Sequence, residues 1–136
     1  SASFKLSRDN LLKECRRFLG VPYLWGGKSS LGIDCSGLVQ TIFQSMDIEL
    51  PRDAWQQGEY FKDHTIPLDY VKPGDILFFG KNEKITHTAL SSGGYNFLHS
   101  QGWVKEESLD KFRDHFNEEC FQIFKFSGSV EHLIIT

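Results

Sequence analysis

Apolar residues recur at helical spacing near the start of the chain. Leu11, Leu12, Cys15, Phe18 and Leu19 form one face of a helix over residues 8–19, closed by Gly20 and Pro22. A second such face, Leu38, Val39, Ile42, Phe43 and Met46, predicts a helix from Cys35 to about Met46. Asp53 stands where it would cap a short helix, Ala54–Phe61. The pattern then changes period. Pro73-Gly74-Asp75 reads as a turn that launches Ile76-Leu77-Phe78-Phe79, apolar on both faces and therefore a central strand. Residues 85–90 and 96–100 alternate as strands, with Ser91-Ser92-Gly93-Gly94 as the turn between them. Leu109, Phe112 and Phe116 predict a helix over 106–116, with Lys105-Glu106-Glu107 as its solvated start. Two final strands are expected over 121–126 and 132–135. Helices first and strands second indicate an α+β fold, with N-terminal helices packed on a central antiparallel sheet.

The richest chemistry lies at Gly32-Ile33-Asp34-Cys35-Ser36-Gly37. Gly32 supplies a turn, and Asp34 and Ser36 are residue types that cap helix starts. A thiol in the first turn of a helix sits beside free N–H groups and the positive end of the macrodipole, which favours the nucleophilic thiolate. Such a nucleophile needs a base. In a hairpin, inward residues of paired strands become neighbours, so His87 can act as base for Cys35 while His99 holds its ring in one tautomer.

Bulk properties narrow the alternatives. A chain of 136 residues with 40% apolar content suits a single globular domain over residues 1–136. The net charge is −3 with both signs dispersed, so nucleic acid is not an expected partner. No apolar run reaches membrane-spanning length, and a monomer is expected. The three cysteines, Cys15, Cys35 and Cys120, form no CxxC pair, which argues against a cysteine-based zinc site. No cofactor or metal is expected. Cys15 falls on the apolar face of the first helix, and Cys120 precedes an expected strand; both read as structural. His64, His115 and His132 read as surface residues.

Several segments, in order, resemble a known family. They are Pro22-Tyr23-Leu24-Trp25-Gly26-Gly27, Asp34-Cys35-Ser36-Gly37, Leu50-Pro51-Arg52, Lys72-Pro73-Gly74-Asp75 before an apolar strand, His87 and His99. Together they resemble the NlpC-type cell-wall peptidases, cysteine hydrolases with a papain-like fold, from Leu11 to about Phe126. The resemblance implies Cys35 as nucleophile, His87 as general base and then acid, His99 as orienter, and Tyr23 beside the thiol. The segment from Leu50 to Gln57 is most similar to the branch that cuts γ-D-glutamyl-diamino acid bonds in free muropeptides. The expected partner is thus a peptidoglycan stem peptide or free muropeptide. The expected location is the bacterial envelope, with cytoplasmic muropeptide recycling as the other option.

The chain departs from the family after the base histidine, where Thr88-Ala89-Leu90-Ser91 replaces a common aliphatic-Gly-aliphatic-Tyr run. Branch members often carry Src-homology-3-like domains upstream, so part of the pocket can lie outside these residues. Asp34 and Ser36 serve either as caps or as ligands, Asp34 for a free α-amine and Ser36 for a substrate carboxylate. Arg52 pairs with a carboxylate, either the substrate's or that of Asp53. Trp25, Trp55 and Trp103 read as core or groove wall, and Trp25 and Asp53 complete the candidate substrate-binding set. Two other functions fit the same residues: thiol-dependent acyl transfer, and an inactive module that grips cell-wall peptide.

Overall fold

A computed structural model describes residues 5–134. The helices are α1 (Arg8–Arg16), α2 (Cys35–Gln44), α3 (Ala54–Phe61), α4 (Glu118–Ile123) and α5 (Glu131–Ile134). The strands are β1 (Lys28–Ser29), β2 (Gly32–Ile33), β3 (Thr65–Ile66), β4 (Ile76–Lys81), β5 (Lys84–Gly93), β6 (Asn96–Gln101), β7 (Trp103–Ser108) and β8 (Phe124–Gly128). Strands β1 and β2 form a small ribbon just before the α2 helix. The other six form one antiparallel sheet in the order β3-β8-β4-β5-β6-β7. This is the α+β architecture of helices on an antiparallel sheet that the sequence predicts.

Strand β4 lies between β8 and β5, as its doubly apolar pattern requires. Ile76 and Phe78 face a core built with Leu11, Cys15, Leu38, Val39, Ile42 and Phe43 of α1 and α2. Leu77 and Phe79 face the opposite side, where Ala89, Phe97, Leu109 and Cys120 pack. The period of two thus divides one strand between two apolar layers.

The first half of the chain follows the expected elements closely. Helix α3 has the expected bounds, and the Gln56 side chain accepts from the Asp53 N–H at 3.1 Å to close its N-terminus. Helix α1 ends at Arg16, earlier than the predicted residue 19. The N–H groups of Arg17, Phe18 and Leu19 bond three residues back, so the last turn tightens before Gly20 at φ +88°. Helix α2 likewise stops at Gln44, short of Met46, before Asp47 at φ +62°. The hairpin turn lies later than expected, because β5 continues to Gly93.

The second half holds the corrections. Residues 106–116 are not a helix. Glu106 and Glu107 belong to β7, which pairs with β6 through Leu98↔Glu106 and His99↔Lys105. Phe112 is 85% exposed, so its spacing from Leu109 marks no buried helical face. Residues 121–126 are not one strand: α4 occupies the first part and β8 the rest. Asn117 caps α4 by accepting from the Cys120 N–H at 2.9 Å, and this local capping overrides the alternation of Phe121 and Ile123. The last expected strand is the short helix α5, and Ile135 lies outside the described residues.

One buried carboxylate joins the termini to the central strand. Asp75 is fully buried at the start of β4. Its Oδ1 accepts from Arg8 Nη1 at 3.0 Å and from the Val130 N–H at 3.0 Å, and its Oδ2 from the Lys72 N–H at 2.9 Å. Removing the carboxylate strands the Lys72 and Val130 N–H groups and takes one of the two anionic partners of Arg8, which keeps the Pro73 carbonyl and Glu131. Asp75→Ala is expected to cost about 3 kcal/mol, within the range for breaking a buried charged network. Urea unfolding followed by circular dichroism measures this, and an unchanged midpoint would contradict it.

Candidate active site

Cys35 is the first residue of α2, and the preceding Asp34 is extended at φ −91°, ψ 178°. Asp34 Oδ1 accepts from the Gly37 N–H at 2.7 Å, a cap worth about 1 kcal/mol in comparable helices. Its Oδ2 accepts from the Gly26 N–H at 3.0 Å and from Arg52 Nη2 at 2.9 Å. Arg52 Nη1 donates to Ser36 Oγ at 3.0 Å. Gln57, fully buried on α3, donates from Nε2 to the carbonyls of Ser36 at 3.1 Å and Pro51 at 2.9 Å. The helix start presses so closely on the preceding loop that a Cβ on Gly37 would lie 2.6 Å from the Gly27 carbonyl oxygen. Glycine is required there by space.

These elements wall a cleft of about 590 Å³. Tyr23, Trp25, Asp34, Cys35, Ser36, Arg52 and Asp53 all line it, so every residue of the sequence-derived set outside the two histidines opens onto one space. Trp55, Lys84, Ile85 and Thr86 complete the wall. Trp25 is 86% exposed and, with Trp55, forms groove wall rather than core. Trp103 is also exposed. Arg52 pairs with Asp34 instead of Asp53, because Asp53 occupies the cap of α3 while Asp34 faces the guanidinium across the loop.

The histidines form a relay on the sheet. His87 Nε2 lies 2.8 Å from His99 Nδ1, and His99 Nε2 lies 2.7 Å from Glu107 Oε1. Leu90 pairs with Leu98, so His87 and His99 fall on the same face of adjacent strands. His99 is fully buried and His87 half-buried. The backbone of Thr88, the next residue after His87, lies close enough to the Cys35 thiol to favour its ionised form. The Cys35 thiol therefore rests against the strand that carries His87.

The electrostatics correct one expectation. Burial pushes the Cys35 thiol up, and the backbone N–H groups of Thr88, Ser36 and Cys35 only partly offset this. The helix start thus does not by itself deliver a resting thiolate. Burial lowers His87 to about 3, and repulsion from His99 when that ring is protonated adds to this. Both members of the pair are driven towards their neutral forms, and the thiol depends on proton transfer to become nucleophilic. Cys15 is held at about 12 by burial, and so is Cys120.

Among the described residues, His87, His99 and Cys120 bring potential metal-ligand atoms within 4.8 Å of one another. The imidazoles spend their facing nitrogens on each other, and burial disfavours the Cys120 thiolate a metal would need. Glu107 and Gln57 are the polar contributors that the sequence reading missed. Glu107 lay in a charge run read as solvated, and only the weak alternation over residues 103–108 pointed to a strand. Gln57 lay inside a short helix with nothing to distinguish it from its neighbour Gln56.

Comparison with known proteins identifies the family of the fold. A γ-D-glutamyl-L-lysine dipeptidyl-peptidase of Bacillus subtilis is 42% identical over 99 residues, covering 71% of this chain and 33% of the relative. The chain thus spans about a third of the length of that relative. An NlpC/P60 family protein from Bacillus cereus superposes with a TM-score of 0.81 at 26% identity, over 93% of this chain and 41% of that one. The NlpC/p60 domain of the peptidoglycan hydrolase SagA gives 0.75 at 26% identity, over 91% of this chain and 99% of that one. The NlpC/P60 family pattern matches residues 20–123, from the loop before the cleft to the end of α4, and this chain belongs to that family.

Proposed function

We propose that this protein is a cysteine peptidase that hydrolyses the γ-D-glutamyl-diamino acid bond of peptidoglycan stem peptides. The observation that carries this reading is Cys35 on a helix start, opening into a cleft and seated against the strand of the His87–His99 pair. Cys35 Sγ attacks the γ-carbonyl of D-glutamate as its proton passes to the free Nδ1 of His87. The oxyanion takes hydrogen bonds from the Cys35 N–H and the Tyr23 hydroxyl, each worth about 3 kcal/mol in comparable sites. The Nδ1 proton then goes to the leaving amine, and the C–N bond breaks to leave a thioester. Water, deprotonated by His87, attacks the thioester and frees the thiol.

Asp34 and Ser36 line the same cleft, so both remain available to a ligand while fulfilling their structural bonds. In this reading Asp34 Oδ2 takes the free α-amine of L-alanine, and Arg52 with Ser36 takes a substrate carboxylate. Trp25 packs on the peptide, and Asp53 sits at the cleft edge. The named L-lysine peptidase among the relatives supports lysine as diamino acid. A substrate of this kind supports a location at the cell envelope, with cytoplasmic muropeptide recycling as the other option. No helix among the described residues is long and apolar enough to cross a membrane.

Three outcomes are expected. Incubation with L-Ala-γ-D-Glu-L-Lys and its meso-diaminopimelate counterpart, read by mass spectrometry, releases L-Ala-D-Glu, and Cys35→Ala releases none. If the intact protein leaves both peptides uncut, the proposed bond is wrong.

Asp34→Asn keeps an oxygen for the cap but removes the charge. It is expected to lower kcat/KM on the free-amino peptide by about 10-fold relative to the N-acetylated peptide, the size of one charge-assisted contact. Equal losses on both peptides would remove Asp34 from amine recognition.

Iodoacetamide should modify Cys35 and spare Cys15 and Cys120, whose thiols burial holds at about 12. Because burial raises the Cys35 pKa, the rate should climb as pH rises through the alkaline range. A rate already at its plateau in neutral solution would show a resting ion pair instead.

A further inference from the structure

We propose that Glu107 is a positioning residue that sets the tautomers of His99 and His87, leaving the unprotonated Nδ1 of His87 to receive the thiol proton. The inference rests on the reading of Cys35 and His87 as nucleophile and base. It concerns a residue two strands away from His87.

The register of the sheet delivers the carboxylate. His99 pairs with Lys105 and Phe97 with Glu107, so Glu107 sits diagonally across the β6–β7 ladder on the face that carries His99. Its Oε1 accepts from His99 Nε2 at 2.7 Å and from Asn117 Nδ2 at 2.8 Å. Asn117 is itself fixed. Its Oδ1 caps α4 at the Cys120 N–H, 2.9 Å away, and its Nδ2 also reaches Gln101 Oε1 at 2.9 Å. Lys105 Nζ, on the same strand, stands 3.8 Å from the carboxylate. Burial pushes Glu107 up, but the hydrogen bonds from His99 and Asn117 more than reverse this, so it stays ionised. The titratable groups facing the two histidines are therefore Cys35 from α2, Glu107 and Lys105 from β7, and Cys120 from α4.

An ionised carboxylate can only accept. His99 must then carry its hydrogen on Nε2, and its Nδ1 is left as an acceptor. The 2.8 Å contact to His87 requires the His87 hydrogen on Nε2. That leaves His87 Nδ1 with a lone pair. Reversing the chain puts a hydrogen on that Nδ1 and disables the base. His99 is fully buried, so solvent does not readily replace a missing acceptor.

The test uses two variants. Glu107→Gln keeps an oxygen where both Asn117 and His99 donate, but carries no charge. Glu107→Met keeps the approximate volume and removes the acceptor. Heteronuclear NMR of the imidazole nitrogens reads the tautomers with no substrate present, and kcat and KM on the tripeptide read catalysis.

Glu107→Met is expected to lose the Nε2–H tautomers and to lower kcat about 100-fold with little change in KM, the size of effect seen for carboxylates that orient a functional histidine from behind. Glu107→Gln is expected to keep those tautomers and most of kcat. Its acid-side loss of kcat/KM should move to lower pH, because no carboxylate now stabilises the imidazolium. A packing role alone would move neither the tautomers nor the pH limb. Unchanged tautomers in Glu107→Met, or an unmoved acid limb in Glu107→Gln, would overturn the proposal. If the wild type cuts no stem peptide, the proposed substrate fails, while the tautomer measurement still decides the role of Glu107.

Discussion

The site depends on one capped helix start. Asp34 holds the Gly26 turn, the first turn of α2 and the guanidinium that follows Leu50-Pro51 with two carboxylate oxygens. Each bond is modest alone. Their common acceptor converts three separate segments into one rigid wall, and Cys35 is the next residue in the chain. The Cys35 thiol is thereby held in place by the same carboxylate that faces the cleft. Gln57 adds a clamp from below, tying α3 to the Ser36 and Pro51 carbonyls. Catalytic groups need placement to a fraction of an ångström, and this short-range network supplies it.

Burial then decides the state of the reactive pair. A helix start and several N–H groups favour thiolate, yet the thiol is held up because desolvation of the charge outweighs them. The same effect holds His87 neutral. Between neutral partners, the direction of the imidazole hydrogen decides which ring nitrogen of His87 carries the lone pair. The His87–His99–Glu107 chain is the part of the molecule that can encode that direction.

The first half of the chain was readable because its signals are local. A run of apolar residues at helical spacing, a capping Asp and a glycine before the thiol all act within a few residues. Helix α3 and the central strand β4 were read for the same reason. The second half was misread where local and tertiary signals conflict. Phe112 and Phe116 mimic a helical face, but strand β7 gains its hydrogen bonds from β6. Phe121 and Ile123 mimic a strand, but Asn117 starts a helix there.

The turn that carries Cys35, helices α1 to α3, the central strand β4 and the hairpin after it were legible in the chain, as were seven residues that line the cleft and both histidines. The elements follow from spacing and residue type, which a chain carries without folding, while site residues such as Tyr23 came from the family resemblance of their motifs. Only the tertiary structure decided that Arg52 turns to Asp34, that burial overrides the helix start at Cys35, and that Glu107 joins the histidines. Each of these depends on which groups share a low-dielectric space. That is a property of the register between strands and the packing of loops, and distance along the chain does not contain it.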